Sequence, residues 1–461
     1  MAETRSGSPK LPPNITSHPN ARFPLPDPKE EQGKTPESGK IEAGRINGGI
    51  TPDSLGAKAD EEWQTLVKAF HANRRRLLRM PGVTAVDIGY KITNGSFTDT
   101  LAVRVHVERK IPDDLDMAMT AYKVHPCEFI PKKTMQEKEK KKCFKLTGGY
   151  EYIATDVIEA NYKPMQDAEL PRPRMVVEEP KSPDHVNRRR RLDPLVGGIS
   201  IGNSVTPVGT LGALVWDNTD GSVCILSNWH VLAGDLGAEV GSPCFQPGRF
   251  DQGRSSDVVA RLKRWSFDRH ADAAIAELTG SRHYCAGEII SLERSISGVA
   301  DPYLGMIVRK SGRSTEATWG FIDGLYFSSV IEYSGGVVQV FENQIHIAPV
   351  EPDASISDPG DSGSVWVSKD FEAVGLHFAG DLPHSAFGEY ALANPMNLVV
   401  KALNFSFRPR FLEIRDEDVT SPSPFSFEHH SHNGIHPVGG LRTRLTGPGG
   451  QPDPLVIKPT G

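Results

Sequence analysis

The segment "DPGDSGSVWV" places Ser362 in a turn of small residues, after Gly360-Asp361 and before Gly363-Ser364. A serine hydroxyl that attacks a carbonyl must project from a tight turn, and backbone N–H groups of that turn must face the oxygen that becomes negative. Glycine allows the backbone conformation that such a turn requires. The segment therefore predicts a nucleophile at Ser362, with the N–H groups of Gly360 and Ser362 as oxyanion donors.

A serine hydroxyl is a weak nucleophile at neutral pH unless a neighbouring base accepts its proton. The segment "CILSNWHVLA" supplies His230 at the end of an apolar strand, and "RHADAAIAEL" supplies Asp272 as the carboxylate that would fix the imidazole tautomer. Asp257 and Asp268 are alternatives for that carboxylate. Asp272 is favoured because it directly precedes an apolar strand, where a carboxylate can be partly buried and rigid.

The order histidine, aspartate, serine resembles that of the chymotrypsin-like serine peptidases, and more closely the narrow-leaf family of plant serine proteases and their bacterial trypsin-like relatives. This resemblance covers residues 60–405 and implies two β-barrels with the triad between them, a catalytic role for Ser362, and Asp272 rather than its alternatives. It is carried by fragments in a shared order: "VKAFHANRRRLLR", "TDVIEANY", "VGTLGALV", "SNWHV", "ADAAI", "KSGRST" and "GDSGS".

The strand predicted after the nucleophile, "VGLHFAG", should pair with an extended substrate through backbone hydrogen bonds. His377 and Phe378 in this strand, with Ser357 before the nucleophile, are the candidate substrate-binding residues. The spacing of His377 and Ser357 resembles the glutamyl endopeptidases, which implies a preference for an acidic residue before the scissile bond. Ile356 stands where trypsin-like enzymes carry an acidic residue, which argues against cleavage after Lys or Arg.

The run "RRRRLDPLVGGIS" raises the question of activation by a cut after arginine. Asp193-Pro194 separates the arginines from Leu195, so such a cut would leave two extra residues before the apolar start. We therefore predict that "GGISIG" is a leading strand, that Asp361 has an internal partner, and that the four arginines form part of a solvated linker. The N-terminal domain is a candidate regulator of access to the site.

The pattern of apolar residues divides the chain into five parts. An amphipathic helix, a hairpin with Asn94-Gly95 as its turn and one further strand predict a small α+β domain, and short β-branched runs between glycine-containing turns predict a mostly β region. The parts are a disordered tail (1–56), the α+β domain (57–163), a basic Pro-rich linker (164–195), a double β-barrel chymotrypsin-like serine protease domain (196–407) and a disordered Pro/Gly/His-rich tail (408–461).

Composition restricts the class of protein further. The 461 residues carry a net charge of −6, with no apolar run long enough to span a membrane and a polar N-terminal segment. Nucleic acid and membrane are therefore not expected as partners. Five scattered cysteines without a CxxC pair predict neither a disulfide framework nor structural zinc, and indicate a reducing, cytoplasmic location. They are Cys127, Cys143, Cys224, Cys244 and Cys285.

These residues predict a serine-type endopeptidase that needs no cofactor and no metal and acts on protein or peptide substrates. The alternative is a catalytically weak or inactive protein of the same fold that binds peptides as a scaffold. A homo-oligomer is left open.

Overall fold

A computed structural model describes residues 10–12, 15, 17–22, 52–108, 146, 149–150, 153–164, 186–205, 208–234, 236–333, 336–351, 354–381, 390–409 and 456–457. Within these residues the chain is mostly β, which confirms the predicted fold class.

The N-terminal elements follow the predicted pattern. Trp63, Phe70 and Leu77 of the first helix are buried at helical spacing, and the hairpin turns at Asn94-Gly95, where both residues have positive φ (49° and 78°). Positive φ at both central residues is the geometry that suits a two-residue hairpin. The elements are β1 (His18–Arg22), α1 (Pro52–Leu78), β2 (Val83–Thr93), β3 (Ser96–Val107), β4 (Thr155–Glu159) and β5 (Tyr162–Pro164).

The rest of the described chain consists mostly of strands, with two helices and two 3-10 turns (Arg249–Asp251 and Ser255–Asp257). In chain order the elements are β6 (Leu195–Gly197), β7 (Ile199–Ile201), β8 (Gly209–Leu211), β9 (Ala213–Asp217), β10 (Val223–Ser227), α2 (Trp229–Leu232), β11 (Pro243–Phe245), β12 (Val258–Phe267), β13 (Asp272–Leu278), β14 (Tyr284–Ile289), β15 (Gly298–Val299), β16 (Tyr303–Leu304), β17 (Ile307–Gly312), β18 (Glu316–Tyr333), β19 (Val337–Pro349), β20 (Val365–Ser368), β21 (Glu372–Asp381), β22 (Ala391–Pro395), α3 (Met396–Leu403), β23 (Phe405–Ser406) and β24 (Val456–Ile457).

Two large sheets contain most of these strands. A six-stranded sheet has the order β11-β12-β13-β10-β9-β23, and an eleven-stranded sheet has the order β17-β20-β21-β22-β19-β18-β2-β3-β4, with β15 and β5 both paired to β21. The smaller sheets are β24-β14-β6, β1-β16 and β7-β8. Apolar residues of α3 and of both large sheets share one buried cluster, so the two sheets pack on a common core.

The eleven-stranded sheet joins the two regions that the sequence assigned to separate domains. Strand β2 pairs antiparallel with β18, with Gly89 opposite Gly324, and β3 and β4 extend the sheet beyond it. Phe70 of α1, Val86 of β2 and Phe321 of β18 lie in one hydrophobic cluster. The segment 57–163 therefore shares both a sheet and a core with the second half of the chain.

A buried ionic network also crosses this junction. Arg104 of β3 donates to both carboxylate oxygens of Asp87 on β2, and its Nη1 donates to Asp323 of β18 at 2.7 Å. His106 contacts Asp87 and His346 contacts Asp323, and all five side chains are fully buried. Buried charges persist only when they are paired and hydrogen-bonded, so each residue depends on the others.

The arginine run is only partly the solvated linker that was predicted. Residues 165–185 lie outside the described part of the chain, but Arg188 is 3% exposed and donates to Ser311 Oγ and the Gly312 carbonyl. Arg191 is exposed and pairs with Asp257 at 3.3 Å. The prediction of a fully solvated run was wrong because one arginine satisfies β17 backbone and side-chain oxygens that are themselves buried.

Three of the described elements lie wholly or partly within the segments that the sequence assigned to tails. Strand β1 and the first residues of α1 fall within 1–56, and β24 falls within 408–461. Cys224, Cys244 and Cys285 are buried and free, and burial raises the pKa of the Cys244 thiol to about 12. Cys127 and Cys143 lie outside the described residues. None of the described helices combines the length and apolar character needed to cross a bilayer.

Replacing Arg104 by alanine would leave the Asp87 and Asp323 carboxylates buried without their shared cation. We expect Arg104→Ala to lower the free energy of unfolding by about 3–5 kcal/mol, as measured by urea denaturation. Arg261→Ala is the matched control, because Arg261 is exposed and its side chain donates to the Gly241 carbonyl. A loss at Arg104 no larger than that at Arg261 would contradict the prediction.

Candidate active site

His230 and Asp272 are brought together by two neighbouring strands. His230 lies in α2, directly after β10, and Asp272 is the first residue of β13, which pairs antiparallel with β10. His230 Nδ1 lies 2.5 Å from Asp272 Oδ2, and the His230 backbone N–H donates to Asp272 Oδ1 at 3.2 Å. The carboxylate thereby holds both the ring and the backbone of the histidine.

The Asp272 carboxylate is fully buried and has further hydrogen bonds. Tyr333 donates its hydroxyl proton to Asp272 Oδ2 at 2.7 Å. The backbone of Asp272 is fixed as well, since its N–H donates to Asn394 Oδ1 at 3.0 Å and its carbonyl accepts from Asn228 Nδ2 at 2.7 Å. A buried charge with this many donors cannot move without losing them.

Ser362 lies in the turn that connects β19 to β20. Gly360 and Gly363 flank it at φ of +100° and +94°, a backbone conformation that strongly favours glycine. The Ser362 hydroxyl is fully buried and donates to the carbonyl of Phe378 on β21 at 3.4 Å. Both glycines therefore use their conformational freedom in this turn, and the hydroxyl faces the carbonyl of a β21 residue.

The serine turn packs against the element that carries His230. The Thr210 N–H donates to the Ser362 carbonyl at 2.7 Å. A β-carbon on Gly209 would meet both Val231, the residue after His230, and that same Ser362 carbonyl oxygen. The absence of a side chain at Gly209 lets β8 lie this close both to Val231 and to the serine turn.

The sequence predicted that Asp361 has an internal partner, and the structure shows that this partner is Lys310 of β17. Lys310 Nζ lies 3.2 Å from Asp361 Oδ2, both side chains are fully buried, and the N–H groups of Ser314 and Thr315 donate to Asp361 Oδ1. Although burial opposes the charged carboxylate, the Lys310 ammonium and these donors lower the pKa of Asp361 to about 2. Leu195, the first residue of β6, does not supply that partner: its N–H donates to the His283 carbonyl at 2.8 Å.

The three predicted substrate-binding residues are all buried beside this turn. Ser357 is 1% exposed, and its hydroxyl has no hydrogen-bond partner among the described residues. His377 is fully buried with its ring edge-on to Trp366 at 6.2 Å between centroids, and burial lowers its pKa to about 3. His377 is therefore neutral at physiological pH, while Phe378 contributes the backbone carbonyl that faces Ser362.

The hydrogen-bond partners of Asp272 differ from those of the two alternative carboxylates, Asp257 and Asp268. Asp257 accepts from Arg282 at 2.8 Å, and Asp268 accepts from the N–H groups of His270 and Ala271 in the turn before β13. None of these contacts involves His230. Sequence reasoning missed Tyr333, the last residue of β18, and Asn394 of β22, which both hydrogen-bond to Asp272. Neither residue lies in a local sequence pattern that indicates this contact. Sequence reasoning also missed Lys310, although "KSGRST" contains it.

Within the described ranges, no group of three or more His, Cys, Asp or Glu side chains is arranged to hold a metal ion. The histidines of "FEHHSHNGIH" lie outside those ranges.

Comparison with known proteins gives structural neighbours but no sequence family. No family model matches the sequence, and no curated protein matches it. The chain is similar in structure to a Nocardiopsis protease (16% identity, 46% of this chain and 97% of that one, TM-score 0.34). It is also similar to a glutamic acid-specific serine protease that uses a histidine triad in substrate binding (19%, 46% and 99%, TM-score 0.35) and to Cellulomonas bogoriensis chymotrypsin (16%, 47% and 98%, TM-score 0.34).

The lowered pKa of Asp361 predicts a pH dependence of stability. The folded-state pKa lies below that of an unfolded aspartate, so the pair stabilises the fold above about pH 4 and this contribution is lost as the pH falls towards 2. We expect the double variant Lys310→Met/Asp361→Asn to lose less stability than the natural chain over that interval, in urea denaturation at successive pH values.

The control is Asp370→Asn, which changes an exposed carboxylate in the turn before β21. Equal slopes of unfolding free energy against pH in the natural chain and the double variant would contradict this assignment.

Proposed function

We propose that this chain is a serine endopeptidase that hydrolyses protein substrates through an acyl-enzyme on Ser362. The observation that carries the proposal is the buried Asp272–His230 pair, with Nδ1 to Oδ2 at 2.5 Å, packed beside the Ser362 turn. A carboxylate bound to Nδ1 leaves Nε2 as the ring nitrogen that can accept a proton. The finer resemblance to the narrow-leaf proteases rests on the ordered sequence fragments.

In the first step Ser362 Oγ attacks the scissile carbonyl carbon while its proton passes to His230 Nε2. Asp272 stabilises the resulting imidazolium and keeps it in the productive orientation. The N–H groups of Gly360 and Ser362 donate to the oxyanion of the tetrahedral intermediate. The glycine conformation at 360, with φ of +100°, supports this assignment because it directs the backbone of the turn.

Collapse of the intermediate breaks the C–N bond, and the leaving amine takes the proton from His230. Water then attacks the acyl group on Ser362, with His230 accepting its proton and returning it to Ser362 Oγ. The products are a new carboxyl terminus and a new amino terminus, and the enzyme returns to its starting state without a cofactor.

We further propose that the pocket beside the nucleophile prefers an acidic side chain. A buried hydroxyl without a hydrogen-bond partner costs folding free energy, so the Ser357 hydroxyl can gain a hydrogen bond by donating to a carboxylate of a bound substrate. His377 is neutral and can donate one ring N–H to a carboxylate. Ile356 is buried in the same segment, and the nearby Lys310 and Asp361 charges are paired, so the described pocket residues provide no unpaired carboxylate for a Lys or Arg substrate.

A fluorophosphonate probe tests the nucleophile directly. We expect covalent labelling of the natural chain at Ser362, no labelling of Ser362→Ala, and a rate of labelling reduced about 1000-fold or more in His230→Ala. Ser364→Ala is a control in the same turn, because Ser364 Oγ donates to the Asp361 carbonyl. We expect this variant to be labelled like the natural chain. Folded protein that never labels would instead support the peptide-binding scaffold.

Peptide libraries test the acidic preference separately. We expect cleavage after Glu, and a roughly tenfold loss of kcat/KM for Glu substrates in Ser357→Ala, because one hydrogen bond to a charged group is removed. A Leu substrate measured on the same variant is the internal control and should be unaffected. Cleavage after Arg or Leu with none after Glu would refute the preference while leaving the peptidase assignment intact.

A further inference from the structure

The edge of β21 beside the nucleophile is the place where an extended substrate would pair. Strand β20 pairs with β21 only as far as Leu376, and His377 exchanges backbone hydrogen bonds with the Ser362 turn, through Gly363 and Ser364. Phe378 then accepts from Ser362 Oγ. The residues that follow Phe378 on this edge are therefore those to which a bound peptide would add as a strand.

Strand β5 of the N-terminal region already occupies that edge. It pairs antiparallel with β21, with Pro164 opposite Ala379, Lys163 opposite Gly380 and Tyr162 opposite Asp381. Its C-terminal residue lies opposite the neighbour of Phe378, so the strand runs towards Ser362.

Side-chain contacts hold β5 on this edge. The Tyr162 hydroxyl lies 2.7 Å from His106 Nδ1 and 2.8 Å from His346 Nε2, both members of the buried ionic network. The Asn161 N–H donates to Asp381 Oδ1 at 2.8 Å. The side chains of β5 alternate, with Tyr162 and Pro164 buried and Lys163 exposed.

We propose that β5 is a built-in occupant of the substrate strand position, which holds the peptidase in a self-inhibited state until the strand is displaced. This proposal rests on the proposed function. Each backbone N–H of β21 has one proton to donate, so β5 and an extended substrate compete for the same edge. A small reagent that needs only Ser362 and its immediate pocket does not compete with β5.

The buried ionic network stabilises β5 in the self-inhibited state through Tyr162. Tyr162 has one hydroxyl proton and lies between two ring nitrogens, so it can donate to one of them at a time. Removing the hydroxyl in Tyr162→Phe takes away the contact to the His106 and His346 rings, while the aromatic ring at this position keeps its packing against Phe327. The bound state of β5 is thereby weakened.

The experiment compares two peptidyl phosphonates that carry the same reactive residue, one as a single residue and one extended by three residues on its N-terminal side. The quantity measured is the extension ratio, the inactivation rate of the long reagent divided by that of the short one. We expect a small ratio in the natural chain and a ratio raised roughly 3- to 30-fold in Tyr162→Phe and in Asn161→Pro, which lacks the donor to Asp381.

Tyr284→Phe is the matched control, because Tyr284 lies in β14 of a different sheet. An extension ratio that is the same in the natural chain, in Tyr162→Phe and in Asn161→Pro overturns the proposal. If neither reagent modifies Ser362 in any variant, the proposed function itself fails. Each ratio is taken within one variant, so a change in folded fraction cancels.

Discussion

The site depends on one fully buried carboxylate that is held from several directions. Asp272 receives Nδ1 and the backbone N–H of His230 and the hydroxyl of Tyr333, while Asn394 and Asn228 fix its backbone. Desolvation makes an isolated carboxylate unfavourable there, so every donor is needed. The same contacts that keep the carboxylate buried also fix the position of His230, and in the proposed mechanism they leave Nε2 as the nitrogen that accepts the Ser362 proton.

A second constraint is that the N-terminal region is built into the sheet whose β19–β20 connection carries Ser362. Strand β2 extends that sheet at β18, and Arg104 connects β3 to Asp323 through buried ion pairs. Strand β5 ends on β21, next to the residue that contacts Ser362. The N-terminal region is therefore in direct contact with the proposed substrate edge, and a change in its packing can reach the site through a single strand.

Local sequence signals predicted much of the fold and the nucleophile turn. Helical spacing in α1, the Asn94-Gly95 turn and the glycines around Ser362 each act over a few residues, so one sequence suffices to detect them. Tyr333, Lys310 and Asn394 could not be assigned roles, because their partners are distant in the chain and meet them only in the folded sheets. Arg188 was misjudged for the same reason: a run of charges does not reveal which member finds buried oxygens.

The most direct measurement is a kinetic cycle on a peptide substrate with Ser362→Ala, His230→Ala and the double variant. Residues that act as one unit lose their whole joint effect when either is removed. The account predicts that all three variants retain the same residual kcat, within about threefold. A double variant slower than the natural chain by the product of the two separate losses would show that Ser362 and His230 act independently, and would contradict the proposed site.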